Sequence, residues 1–229
     1  MSIKGRFAAA LAGLVLMFGL AACSTTSTGS LAYSDKDLPP VALSAKSNPA
    51  VNASVSSPDN PDLFIVDSGP PQPVDPAGRY YVEFRARWLH ELGPLTLIGH
   101  TYVIYGRLDA SGTPLDRHMV ALYPGGGPVG LIASSLPIVV PATTTPVFGD
   151  REFDTLAVYK VLINAAQYDA IQKFVYETRS KMRWFNLYTI NCNYLAGHIA
   201  RLAGLKTPPI TGQPAELYVK ELAMLNDRS

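Results

Sequence analysis

Few architectures accommodate LTLIGHTYVIYG, the twelve residues from Leu95 to Gly106. A strand that is apolar on both faces belongs in the middle of a sheet covered on both sides. Its neighbours are readable. RYYVEFRARW alternates, with Tyr81, Glu83, Arg85 and Arg87 on one side and Tyr80, Val82, Phe84, Ala86 and Trp88 on the other. RLDASGTPLD is rich in turn residues, RHMVALY reads as the return strand, and LAVYKVLI (Leu156 to Ile163) as a third good strand. PGGGP, from Pro124 to Pro128, reads as a loop, and the Pro/Thr-rich stretch beyond it to Asp154 carries no period to assign. Asn164 is placed to cap AAQYDAIQKFVYETRSKM, in which Tyr168, Ile171, Phe174 and Val175 fall on one helical face. RWFNLYT reads as a short strand. A helix follows Cys192 and ends at Gly204 before Pro208-Pro209, and QPAELYVKELAML is a last helix with Pro214 in its first turn. Antiparallel strands with helices grouped apart from them predict an α+β domain.

The chain opens MSIKGRFAAALAGLVLMFGLAACS. A short basic start, an apolar run and small residues make residues 1–22 a secretory leader. LAAC resembles the bacterial lipobox, which implies a lipid on Cys23 and cleavage before it; Ser24, in place of the aspartate that retains lipoproteins at the inner membrane, favours the outer membrane. Residues 23–78, rich in Ser, Asn and Pro and closed by SGPPQPVDPAG, read as a tether. Inside it LFIV (Leu63 to Val66) is the one apolar patch and reads as a strand or a clip onto the domain. Residues 79–229 form the globular domain. A formal net charge of +1 gives no electrostatic case for nucleic acid, while 48% hydrophobic residues suffice for a core. The expected attachment to the membrane is the lipid rather than a helix.

Chemistry points to FNLYTINCNYLAGHIARLAGL, Phe185 to Leu205, where a strand pattern becomes helical at Cys192. Cys192 is one of two cysteines, and a lipid on Cys23 would leave it without a disulfide partner. At a helix N-terminus, free N–H groups and the dipole favour a thiolate, and an imidazole would lower the pKa further and protonate a leaving group. Amides at that terminus can also hold an oxyanion. Burial as an inert core thiol is the competing fate. Of four histidines, His198 lies six positions on, roughly 240° round the helix from Cys192, and His90 falls in a loop. His100 sits in the most apolar strand behind Gly99, as a core residue or a placed base; His118 begins the return strand. PGGGPVG lacks the Lys-Ser/Thr of a phosphate loop, and no His/Cys/Asp group has zinc spacing. No metal and no cofactor are expected. Asp150, Glu152 and Asp154 read as a solvated loop.

Together, the Asn-Cys helix and GHTYVIYG resemble the circularly permuted papain-like proteins, relatives of NlpC-type peptidases that include the lecithin–retinol acyltransferase group. Histidine strand before cysteine helix is the permuted order, and the resemblance covers about residues 80 to 205. It implies a papain-like α+β fold, Cys192 as nucleophile, His100 as base, a third polar group for which His118 is the available histidine, and Asn191 and Tyr102 beside the substrate. Phe185 stands where these relatives often carry Tyr. The implied activity is amide hydrolysis in cell-wall peptides through an acyl thioester, with lipid-ester acyl transfer or phospholipase activity, or a binding domain without catalysis, as alternatives. Register tests the third residue. A tight turn at Ser111-Gly112 sets His100 opposite Tyr123, and His118 opposite Tyr105 on the other face; a bulge or longer loop from Asp109 to Pro114 would bring them to one face.

Overall fold

A computed structural model describes residues 64–65, 69–88, 99–144, 155–210 and 213–227. All lie in one compact unit, Val41–Ser229. The leader, Cys23, His90, Leu95 to Ile98, Asp150, Glu152 and Asp154 lie outside the described residues.

Two sheets and four helices make the described part an α+β structure. The larger sheet contains β1 (Phe64–Ile65), β2 (Arg79–Arg87), β3 (His100–Leu108), β4 (Arg117–Ala121) and β7 (Thr155–Ile163), in the order β1-β4-β3-β2-β7. The strand expected at the centre is there: β3 lies between β2 and β4, antiparallel to both. Phe64–Ile65, the described part of LFIV, forms a clip, for β1 pairs in parallel with the edge of β4, Ile65 opposite His118. That pairing covers backbone groups an edge strand would otherwise expose. The strap beyond it is also held, the Gln172 side chain meeting both the amide and the carbonyl of Gln72.

Alternation along the strands divides the interior in two. Tyr80, Val82, Phe84, Ala86, Val103, Tyr105, Val120, Tyr159 and Val161 pack with the helices in the larger core. Side chains of the other parity, Tyr81, Tyr102, Ile104, Leu108, Met119, Ala121 and Tyr123, form a second buried cluster. Charge is buried on that second face too: Arg87 is fully buried and bonds the Trp88 carbonyl and the Tyr123 hydroxyl.

Helix α2 (Ala165–Lys181) begins where Asn164 predicted, with a reciprocal capping box: Asn164 Oδ1 accepts from the Gln167 amide and Gln167 Oε1 from the Asn164 amide, both at 2.9 Å. Such a cap is worth about 1 kcal/mol. Helix α3 (Cys192–Leu202) ends at Ala203 and Gly204, whose φ of 79° suits the stop. Helix α4 (Ala215–Asn226) follows Pro214. The segment without a period contains structure of its own. After β5 (Tyr123–Pro124), α1 (Gly127–Ser134) begins inside the PGGGP stretch expected as a loop, and β6 (Val140–Thr143) pairs β5 and β8 (Trp184–Phe185) in a small second sheet. The expected RWFNLYT strand shrinks to that two-residue β8, because the Asn186 side chain accepts from the Tyr188 and Thr189 amides and turns the chain.

Candidate functional site

Cys192 stands at the first position of α3, as the change of pattern predicted. Asn191 builds that terminus. It is buried, its Oδ1 accepts from the Tyr194 amide at 2.9 Å and its Nδ2 donates to the Leu187 carbonyl at 2.7 Å. Both ends of this side chain are committed to the backbone, so Asn191 is a capping residue here rather than a substrate contact.

Opposite the thiol lies the start of β3, and parity decides which residue meets it. Thr101, Val103 and Tyr105 share the helical face. The Thr101 amide and hydroxyl, and the amides of Asn193 and Cys192, reach the sulfur. Thr101 also donates its hydroxyl proton to Asn193 Oδ1 at 2.7 Å, and Asn193 Nδ2 donates to the Gln213 carbonyl at 3.1 Å. The hydroxyl proton is thus engaged elsewhere, which leaves it a small influence on the sulfur. Cys192 is half-buried as a residue, and desolvation of its sulfur is the largest influence, pushing the thiol above its ordinary pKa against the pull of the Thr101 amide and the helix amides. Tyr218 of α4 adds a fully buried hydroxyl with no hydrogen-bond partner among the described residues; burial raises its pKa, and a charge on Cys192 would raise it further.

His100 points the other way. Its ring stacks on Tyr123 with centroids 3.9 Å apart and lies 6.3 Å from Tyr102, both members of the second cluster. The expectation of sulfur against imidazole is therefore corrected: alternation sends His100 to one face of β3 and gives Thr101 to Cys192. Tyr102, expected beside the substrate, shares the His100 face and is 1% exposed.

The pairing expected of a tight turn is present, reached by a longer loop and a bulge. Tyr105 pairs His118, Val103 pairs Val120 and Tyr102 pairs Ala121, a progression that brings Tyr123 level with His100. The turn itself is a longer loop: Asp109 N–H donates to the Thr113 carbonyl, Leu108 pairs Pro114 and Leu115 N–H donates to the Arg107 carbonyl, and one extra residue at the entry to β4 shifts the pairing by one to put His118 opposite Tyr105. His118 stacks on Tyr105 at 5.2 Å and has Asp116 Oδ1 3.8 Å from its Nε2. Four residues along β3 separate Tyr105 from Thr101, about 13 Å, so His118 joins neither His100 nor Cys192. Burial lowers the His118 pKa, Asp116 opposing it and Arg107 and Arg179 adding to it. His198 is buried on α3 between Tyr194 and Phe174, with ring centroids at 4.4 and 5.7 Å.

Sequence reasoning passed over Thr101, Asn193 and Tyr218. Thr101 had a usable signal: if Val103 and Tyr105 face the helices, so does the residue two before Val103. Asn193 and Tyr218 had none, since their meeting depends on how α4 returns to the sheet. Among the described residues no group of three His, Cys, Asp or Glu side chains is placed to hold a metal ion, and no helix is long and apolar enough to cross a membrane. No family model, curated protein or solved structure matches the chain.

Proposed function

We propose that this chain is a lipid-anchored envelope protein whose α+β domain keeps a permuted papain-like layout and works by docking, without thiol catalysis. One observation carries this reading: the residue turned toward Cys192 is Thr101, and His100 is stacked on Tyr123 across the sheet. A thiol whose pKa is raised by burial has little thiolate at neutral pH, and a hydroxyl cannot serve as the base an imidazole would be. The layout is supported by the order of a histidine strand before a cysteine helix, with α3 set against the start of β3. The lipid anchor is supported by the leader and by LAAC.

Cysteine hydrolysis, of amides in cell-wall peptides or of lipid esters, has one observation on its side. The Thr101 amide and two helix-terminal amides surround the sulfur, a donor set that would suit a thiolate or an oxyanion. Wild type and Cys192→Ala, compared for peptide release from cell-wall fragments and fatty-acid release from phospholipid vesicles, separate the two. Neither release depending on Cys192 is the expected result. Release that disappears in Cys192→Ala would establish the enzyme and end the non-catalytic proposal.

A further inference from the structure

Between Arg117 and Asp150 the sequence holds no Asp, Glu, Lys or Arg. The fold turns part of this uncharged stretch outward. On α1, Leu131 and Ser134 face inward, while Val129 is 76% and Ile132 59% exposed. Leu136, one turn beyond Ile132, is 52% exposed, and Val139 48%. The small sheet sets aromatics beside them. Trp184, 55% exposed, pairs with exposed Pro141, and the Tyr188 hydroxyl donates to the Ser135 carbonyl at 2.9 Å. Asn186 ties the same turn to the Ile138 carbonyl at 2.7 Å. Helix, loop and aromatic turn are therefore one connected face, and a face of this composition on a folded domain marks an interaction site.

We propose that this face docks on the surface of the bilayer to which the chain is anchored. Three features favour lipid over a protein partner. Exposed aliphatic side chains next to Trp and Tyr are the composition that settles at a membrane interface, aromatic rings at headgroup depth and aliphatics just below. Exposed Arg183 adjoins Trp184, and the stretch supplies no acidic residue to repel anionic headgroups. Reach also permits it: the roughly 40 residues from Cys23 to Phe64 span at most about 140 Å, so an anchored domain stays in continuous encounter with the bilayer. A lipid anchor and a weakly inserting face reinforce each other, since one signal makes the second intramolecular.

Because this rests on the lipid anchor proposed above, the test reads anchor and face separately. The full chain is reconstituted into phosphatidylethanolamine/phosphatidylglycerol vesicles with brominated acyl chains, and tryptophan quenching is compared with that of Trp184→Phe, which leaves Trp88. Mass analysis of the same sample reports whether Cys23 bears lipid. Several-fold stronger quenching in the wild type, lost in a Val129→Ser/Ile132→Ser double variant with an unchanged circular dichroism spectrum, is the expected result. Equal quenching in wild type and Trp184→Phe would overturn the docking face even if Cys23 is lipidated. Quenching by an unlipidated chain would uphold the face and remove the anchor. A wild-type dimer by light scattering that the double variant abolishes, with no quenching, would assign the face to a second copy and overturn the proposal.

Discussion

The two faces of β3 hold chemically different neighbours at almost the same height. On the helical face the strand begins with Thr101, engaged with Cys192 and Asn193. On the other it begins with His100, stacked on Tyr123 and level with fully buried Arg87. One residue of strand, about 3.3 Å, separates a thiol-and-amide environment from an aromatic and cationic one. Proximity along the chain is thus no guide to shared chemistry in a sheet. Parity decides.

That contrast can be broken or sharpened by substitution. The largest effect is expected at Gly106, on the His100 parity, where a Cβ would run into the Asp116 carbonyl oxygen and come within 2.7 Å of its Oδ1. Backbone cannot yield as a side chain can, so Gly106→Ala should cost about 3 kcal/mol in urea unfolding; a neutral outcome would show this end of the second face to be loosely packed. Next comes Tyr123→Ala, which removes the ring under His100 and should cost about 3 kcal/mol or somewhat less while leaving the pH dependence of Cys192 alkylation unmoved. A shift in that profile would mean that the two faces communicate. Thr101→Val should cost about 2 kcal/mol, because Asn193 Oδ1 loses its donor in a buried setting. It should also nudge the thiol pKa upward, since the hydroxyl is among the groups that pull it down.

The smallest effect belongs to His118, whose pKa burial depresses below the ordinary value of about 6.5. Below that pH the unfolded chain takes up a proton that the folded chain refuses, so stability falls as pH drops through 6.5 and levels off below the folded pKa. Thermal unfolding of His118→Gln across pH 5 to 7 should show a shallower acid loss than wild type; an equal slope would remove His118 from the acid response.

Elements with a clear period were legible: β2, β3, β7 and the capped α2 stand where alternation or Asn164 placed them. The pairing of His118 with Tyr105 was also expected, although a three-residue loop and a one-residue bulge set it rather than a tight turn. The small sheet and α1 were not. Pro, Gly and Thr break any local period there, and the short strands form only by pairing with one another, β6 with β5 and, across more than forty residues, with β8. The position of Cys192 at a helix start was readable from Asn191 and the change of pattern. Its neighbour was not legible from hydrophobicity, because β3 is apolar on both faces; only the shared parity of Thr101 with Val103 and Tyr105 carried a signal.

Iodoacetamide alkylation of Cys192 against pH, in wild type and in His100→Ala, measures that neighbour most directly. An apparent pKa above that of a free thiol and identical in the two proteins is expected if Thr101 faces the sulfur. A pKa well below the free-thiol value in the wild type, rising when His100 is removed, would place the imidazole at the sulfur and contradict it.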